Sequence, residues 1–465
     1  MKRAVLLVLL TFSILNQLKC QTKDKFEFLS NETCFKSKRK ILSFYSDIVK
    51  FGNIKDGDIV ADIGTYNALL PTCLNLTNPN IIFYLQEYSK QRLNKNRIFQ
   101  IVKYYQDQTK LELNNDFKFI IGEKQKTNLP DSTFDKIIIS NTFEYISNCD
   151  LWLADLKSKL KEDGKVIVST GNNIASRYVI SIFERNDFTC TLDKTYKGRN
   201  IQIFNNYSKS DRYTDDIFDA IVCRDSARVK QFINSGIDVN TKLGDMNLLS
   251  LATAISNNLP VIRLLINNGA TYYYDDNQPF YSDVILKSSS NACFDILDLL
   301  INQYNNCNLE ESLIYAAWLS NDIKTVELLI NSGAGITSPG IENDLFARTM
   351  EGGSLEIFKL LMSKNNDINI YQTYEDGANL LHLSTMGQNT ELLIFMIEEL
   401  NFDINFIDAS GNTVLMYAVA NGCIENVKLL IERYKLDPNI KNNHSKKAID
   451  YSFDPEIFEY LKNLN

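Results

Sequence analysis

Two carboxylates and one glycine near the front of the chain have the types and spacing of a ligand cradle. Asp62 and Gly64 close the apolar run Ile59–Ile63, and Glu87 closes the next apolar run, 23 residues after Gly64. A glycine turn lets backbone approach a ligand closely. An acidic side chain about 20 residues further on can accept vicinal hydroxyls. The plainer reading is that Asp62 and Glu87 cap the turns that follow them. A second group is aromatic: Tyr272, Tyr273, Tyr274 and Tyr281 surround Asp275, Asp276 and Phe280. Exposed rings of this kind make binding hot spots, not catalytic centres; the equal alternative is that they cover an irregular junction between neighbouring segments.

The remaining chemistry is narrow. Only His382 and His444 exist, so the front half cannot build a Ser-His-Asp set or a histidine metal site. Nine cysteines are scattered without a C-x-x-C pair, and a zinc site is not expected. A formal charge of −8 with no Lys/Arg run argues against a nucleic-acid partner.

The elements that would hold these residues alternate between strand and helix. Ile59–Ile63, 81–85, 117–121, 136–140 and 166–169 are short, β-branched and bounded by turn residues. Helical stretches at 91–106 and 151–160 fall between them, which implies a parallel α/β sheet. Segments 188–192 and 201–204 read as a closing antiparallel hairpin.

The back half repeats. Apolar runs end at Ile233, Ile266, Ile301, Ile330, Met362, Ile397 and Ile431, at intervals of 33, 35, 29, 32, 35 and 34. A period near ~33 means stacked supersecondary units with a long binding surface. Small residues such as Ala252, Ala316, Ala317 and Ala418 mark a first helix in each unit, and the Leu/Ile run marks a second.

The stretch from Asp408 to Ala418, continuing through Asn421-Gly422, resembles the ankyrin repeat. So do Gly377–His382 and the recurring Asp-x-Asn at 238–240, 367–369, 403–405 and 437–439. The segment 270–315 matches that pattern poorly, and 448–461 looks like a cap. Val60–Ala68, Glu87-Tyr88-Ser89, Leu129–Asp135 and 160–165 resemble, in that order, the motifs of class I S-adenosylmethionine-dependent methyltransferases. That resemblance implies cofactor contacts from Asp62, Gly64, Tyr66, Ala68 and Glu87, and substrate contacts near Asn141, Phe143 and Glu144. Tyr66 and Ala68 stand where the family has glycines, which implies a degenerate loop.

The N-terminus has its own signature. Lys2-Arg3, an apolar stretch from Ala4 to Leu15 and the polar Asn16-Gln17 read as a signal peptide, too short to span a bilayer. The expected fold is an α/β Rossmann-like methyltransferase domain followed by an all-α ankyrin solenoid. The expected order is a signal peptide at 1–20, a linker or leading helix at 21–40, the α/β domain at 41–206, a linker at 207–214, and seven repeats plus a cap at 215–465. The function expected is that of an exported protein, periplasmic or extracellular, that binds a protein partner through its repeats. The catalytic residues are not identified, and S-adenosylmethionine is expected only if the domain is active. The alternatives are an active methyltransferase whose repeats recruit the substrate, and a chain anchored in the membrane by its N-terminal segment. Export would permit disulfides among Cys34, Cys73, Cys149 and Cys190.

Overall fold

The computed structural model describes residues 45–464 except 67, 77–79, 89–92, 112–115, 124, 144–145, 147–148, 172–175, 197–198, 207–215, 244–245, 255–257, 273–282, 305–306, 337–343, 365–367 and 388. The expected signal peptide, the segment 21–40 and the linker 207–214 lie outside these residues, as does Cys34. By its internal contacts the chain forms two compact units that do not follow chain order. One contains Ser37–Ser89 and Thr109–Asn308; the other contains Lys90–Gln108 and Leu309–Asn465.

The first unit holds a seven-stranded sheet. Its strands are β1 (Ile59–Ile63), β2 (Ile82–Glu87), β3 (Lys118–Ile121), β4 (Phe134–Ser140), β5 (Leu160–Gly171), β6 (Thr189–Tyr196) and β7 (Arg199–Asn205). Their order is β3-β2-β1-β4-β5-β7-β6, a Rossmann-like arrangement as expected. The first five strands run parallel, and β7 is antiparallel to both β5 and β6. The parallel strands at the centre are apolar along their length, as burial on both faces demands. Val60, Ala61, Ile138, Ile139, Val166, Ile167 and Val168 are fully buried.

Each expected strand exists. The largest difference is β5, which starts at Leu160 instead of 166 because a register irregularity opposite Phe134–Lys136 lets the pairing resume early. Asp135 fastens the lower edge: its carboxylate accepts from Ile59 N (2.9 Å) and Lys161 Nζ (2.7 Å). Against the upward push of burial, the bonds from Ile59 N and Lys161 and the charges of Lys161 and Lys136 hold that carboxyl below its ordinary range.

Helix α1 (Ser46–Gly52) and helix α2 (Leu69–Asn75) join this unit, and α3 (Lys95–Thr109) belongs almost wholly to the other. Helices α4 (Cys149–Lys159) and α5 (Ser176–Arg185) complete the α/β part. Phe183 of α5 stacks on Phe204 of β7 at 4.0 Å between ring centroids.

The first repeat follows directly in the same unit. Asp219 of Ile217–Val222 accepts from Ser181 Oγ (2.9 Å) and pairs with Arg177 (3.2 Å). Asp150 of α4 binds Arg185 and Arg224 and accepts from Asn186. These charges are half-buried, so they are less screened than surface pairs.

Helix pairs then recur as expected: 226–234 after 217–222, 259–267 after 248–254, and 294–303 after 284–290. The segment that matches the repeat pattern poorly thus still supplies a helix pair. In the second unit the pairs are 309–320 with 323–331, 345–352 with 355–364, 380–384 with 390–398, and 414–420 with 424–433. A short helical turn, Ala448–Tyr451, and the helix Pro455–Lys462 close the stack. Asx caps start most of these helices: Asp225, Asp283, Asp322, Asp344, Asn389 and Asp454 each accept backbone N–H bonds from the first turn. Two helices end in a π-helical turn, at Ala316–Ser320 and Leu429–Arg433.

Among the described residues no helix is long and apolar enough to cross a membrane. Cys73 and Cys149 are buried and Cys190 is half-buried.

Candidate functional site

The strand ends bring the two front carboxylates together. Asp62 is the fourth residue of β1 and lies level with Leu85 of β2; Glu87 closes β2. Both are buried. Burial pushes the Asp62 carboxyl up to about 7, the Thr65 hydroxyl pulls it back, and the charge of Glu87 pushes it further. Near neutral pH this is therefore a carboxyl poised between its two forms.

The turn after β1 is fastened to β2 through its backbone. Gly64 N and Thr65 N both donate to Gln86 O, at 2.9 and 3.2 Å. Ala68 N donates back to Thr65 O at 2.8 Å and delivers the chain into α2.

Gly64, Tyr66 and Ala68 have φ of 69°, 46° and 53°. All three positions have a glycine-type backbone, although Tyr66 and Ala68 carry side chains. An L-residue in this region costs roughly 1–2 kcal/mol.

Gly64 has a local reason to be glycine. A Cβ there would stand 2.3 Å from Thr142 Cγ2 and 2.4 Å from Thr142 Oγ1. Sequence reasoning missed Thr142; only the topology, which sets β4 beside β1, puts it against this turn.

These residues fit S-adenosylmethionine only at one end. The Asp62–Glu87 pair suits a ligand with hydroxyls. The turn does not suit close backbone approach, because Thr142 packs against Gly64 and positions 66 and 68 carry side chains. Phe143 belongs to the core: it is buried and packs on Tyr178 and Phe183, at 6.2 and 5.5 Å between centroids. Asn141 is exposed and Glu144 lies outside the described residues.

Of the aromatic cluster, Tyr272 alone lies within the described residues; Tyr273, Tyr274 and Tyr281 lie outside them. Tyr272 is half-buried, with its ring 5.6 Å from Tyr304. Its hydroxyl donates to Asp283, the cap of helix 284–290, at 3.3 Å. This places Tyr272 in a joint between repeats as well as near their edge.

The clearest repeats are tied by buried polar side chains. Asp408 accepts from Ser410 N, Asn412 N, Asn412 Nδ2 and Tyr417 Oη at 2.7–3.1 Å. Asn442 Nδ2 then donates to Asn412 Oδ1 at 2.6 Å, linking one unit to the next. Asn379 and His382 form a reciprocal cap at the start of helix 380–384. His382 is buried, which pushes its imidazole down to about 4 against the opposing effect of Asp408. Among the described residues, no cluster of His, Cys, Asp or Glu could hold a metal ion.

Residues 345–442 match the family model of ankyrin repeats, in three copies. No curated protein matches the chain. Among solved structures, a SAM-dependent methyltransferase from Aquifex aeolicus is similar at 17% identity and TM-score 0.29, covering 36% of this chain and 90% of that one. A complex of the Haloferax volcanii Trm112 methyltransferase activator with a methyltransferase gives 12% and 0.27, covering 37% and 95%. The human ASB11 ankyrin repeat domain gives 14% and 0.34, covering 54% and 98%. Residues 345–442 thus carry ankyrin repeats, and ahead of the helical repeats the chain folds into a Rossmann-like seven-stranded sheet.

Proposed function

We propose that this chain works as an exported binding protein: its repeats hold a protein partner, and its methyltransferase-like domain contributes structure without methyl transfer. The observation that carries the second part is the turn after β1. Its glycine is explained by Thr142, and its other two glycine-type positions hold Tyr66 and Ala68. A turn built this way fills space that a ligand would need. The first part is supported by the repeats themselves, whose usual work is to present a long surface to another protein. Export is supported by the sequence pattern of residues 2–17.

A second reading is favoured by the buried Asp62–Glu87 pair, which is disposed as a hydroxyl-binding site would be. In that reading the domain is an active methyltransferase and the repeats recruit its substrate. A methyl-transfer assay separates the two, using the full chain, labelled S-adenosylmethionine and a protein extract from the native source. The proposal predicts no incorporation above that of a heat-inactivated control; sustained incorporation supports the second reading. Export has its own check: mature protein recovered outside the cell is expected to begin at Gln21, and an intact Met1 would contradict it.

A further inference from the structure

Helix α3 follows β2 in the chain, yet it belongs to the compact unit of the later repeats. One side chain accounts for much of that attachment. Asn96, buried in the first turn of α3, donates from Nδ2 to Ala420 O and Tyr451 O, both at 3.0 Å. Its Oδ1 accepts from Phe453 N and from Asp454 N, the latter at 2.9 Å. Two donors and two lone pairs are all that a side-chain amide offers, so every one is used.

The four groups it meets are backbone groups at element ends. Ala420 closes helix 414–420, Tyr451 closes the turn 448–451, and Phe453 and Asp454 lead into helix 455–462. Such ends carry orphan carbonyls and N–H groups that need partners. Here the partner comes from more than 300 residues away in sequence, since Asn96 and Ala420 are 324 apart.

A second observation is independent of these bonds. Gly422 has φ 72°, and a Cβ on it would lie 3.1 Å from Asn94 Oδ1, Asn96 Cβ and Asn96 N. The start of α3 therefore comes up against bare backbone at Gly422. Asn94 in turn accepts from Arg97 N at 2.9 Å and caps α3. The charge of Lys95 favours the ionised form of the Asp454 carboxyl, which burial otherwise pushes up.

We propose that the C-terminal end of the repeat stack is a receptor for a helix start, and that α3 fills it in cis as an intramolecular strap. The surface made by Gly422 and Tyr451–Asp454 is then closed to a partner in trans. A protein held by the repeats uses another part of the stack or displaces α3. This inference does not depend on whether the front domain binds a cofactor.

The test is amide hydrogen exchange, read by mass spectrometry on the full chain. Asn96→Ala is expected to speed exchange across 448–462 at least tenfold and to leave 380–398 unchanged. Lys103→Ala, an exposed change on the same helix, should leave both regions at wild-type rates. If Asn96→Ala does not fold, Asn96→Ser keeps one donor and acceptor capacity and should show a smaller rise in 448–462. A synthetic peptide of residues 93–109 in excess should restore protection to the Asn96 variant and leave the wild type unaffected. Unchanged exchange at 448–462, an equal rise across 380–398, or a peptide without effect on the variant would each overturn the strap.

Discussion

The turn after β1 and the repeats around Asp408 preserve different things. The turn rests on its backbone: φ is positive at 64, 66 and 68 although only one of the three residues is glycine. The repeats keep side chains: Asp408, Asn412, Tyr417, Asn442 and Tyr451 each supply a donor or acceptor to a shared buried network. The difference teaches where a sequence can drift. A backbone conformation at a turn tolerates a new side chain at roughly 1–2 kcal/mol per residue. A buried polar network tolerates almost none, because each loss strands a partner away from water.

The largest test of that contrast is Asp408→Ala. Four hydrogen bonds to one buried carboxylate disappear together. We expect a loss of about 4 kcal/mol in the unfolding of the later repeats, read from urea denaturation followed by exchange of 380–433. A loss below ~1 kcal/mol would mean that the network is dispensable and the contrast false.

The two regions should also respond to pH in opposite directions. Asp62 has a raised folded pKa, so the folded state holds its proton more tightly than the unfolded state between 3.8 and about 7. Its contribution is fully present below 3.8 and is lost as pH rises through about 7. Asp62→Asn should therefore stabilise the α/β sheet at pH 8 by on the order of 3 kcal/mol and do much less at pH 4.

His382 has a lowered folded pKa, so the unfolded state binds the proton first between 6.5 and about 4. Its contribution is present above 6.5 and is lost as pH falls through about 4. Exchange measured at pH 4.5 and 7.5, corrected for intrinsic rates, should show repeats 380–433 losing on the order of 2–3 kcal/mol on the acid side. A pH response of the same sign at both sites would break the comparison.

The smallest effect concerns the turn alone. Tyr66→Gly should relieve the positive φ and raise stability by about 1 kcal/mol, seen as a shift of the denaturation midpoint without a change in slope. A destabilisation would show that the Tyr66 ring supports the fold more than its backbone strains it.

Much of this was legible in residue patterns. The strands announced themselves by β-branched runs, and the repeats by a period near ~33 and the Asp-x-Asn signature. The pairing of Asp62 with Glu87 was legible because both close strands. Three things were not. Thr142 reaches Gly64 only because β4 lies next to β1, an adjacency no local pattern encodes. Tyr272 allowed two readings, an exposed edge aromatic or a ring covering a repeat junction, and only the positions of Asp283 and Tyr304 leave it half-buried between repeats. Asn96 falls in the helical stretch 91–106 with no local pattern to mark it, and its four partners are more than 300 residues away.

The proposed function rests on a turn after β1 that does not admit S-adenosylmethionine. Calorimetric titration of the full chain with S-adenosylmethionine at pH 7.5 tests it most directly, run beside the Tyr66→Gly/Ala68→Gly variant. The account predicts no saturable heat for the wild type. Saturable one-to-one binding by the wild type at micromolar concentration would contradict it.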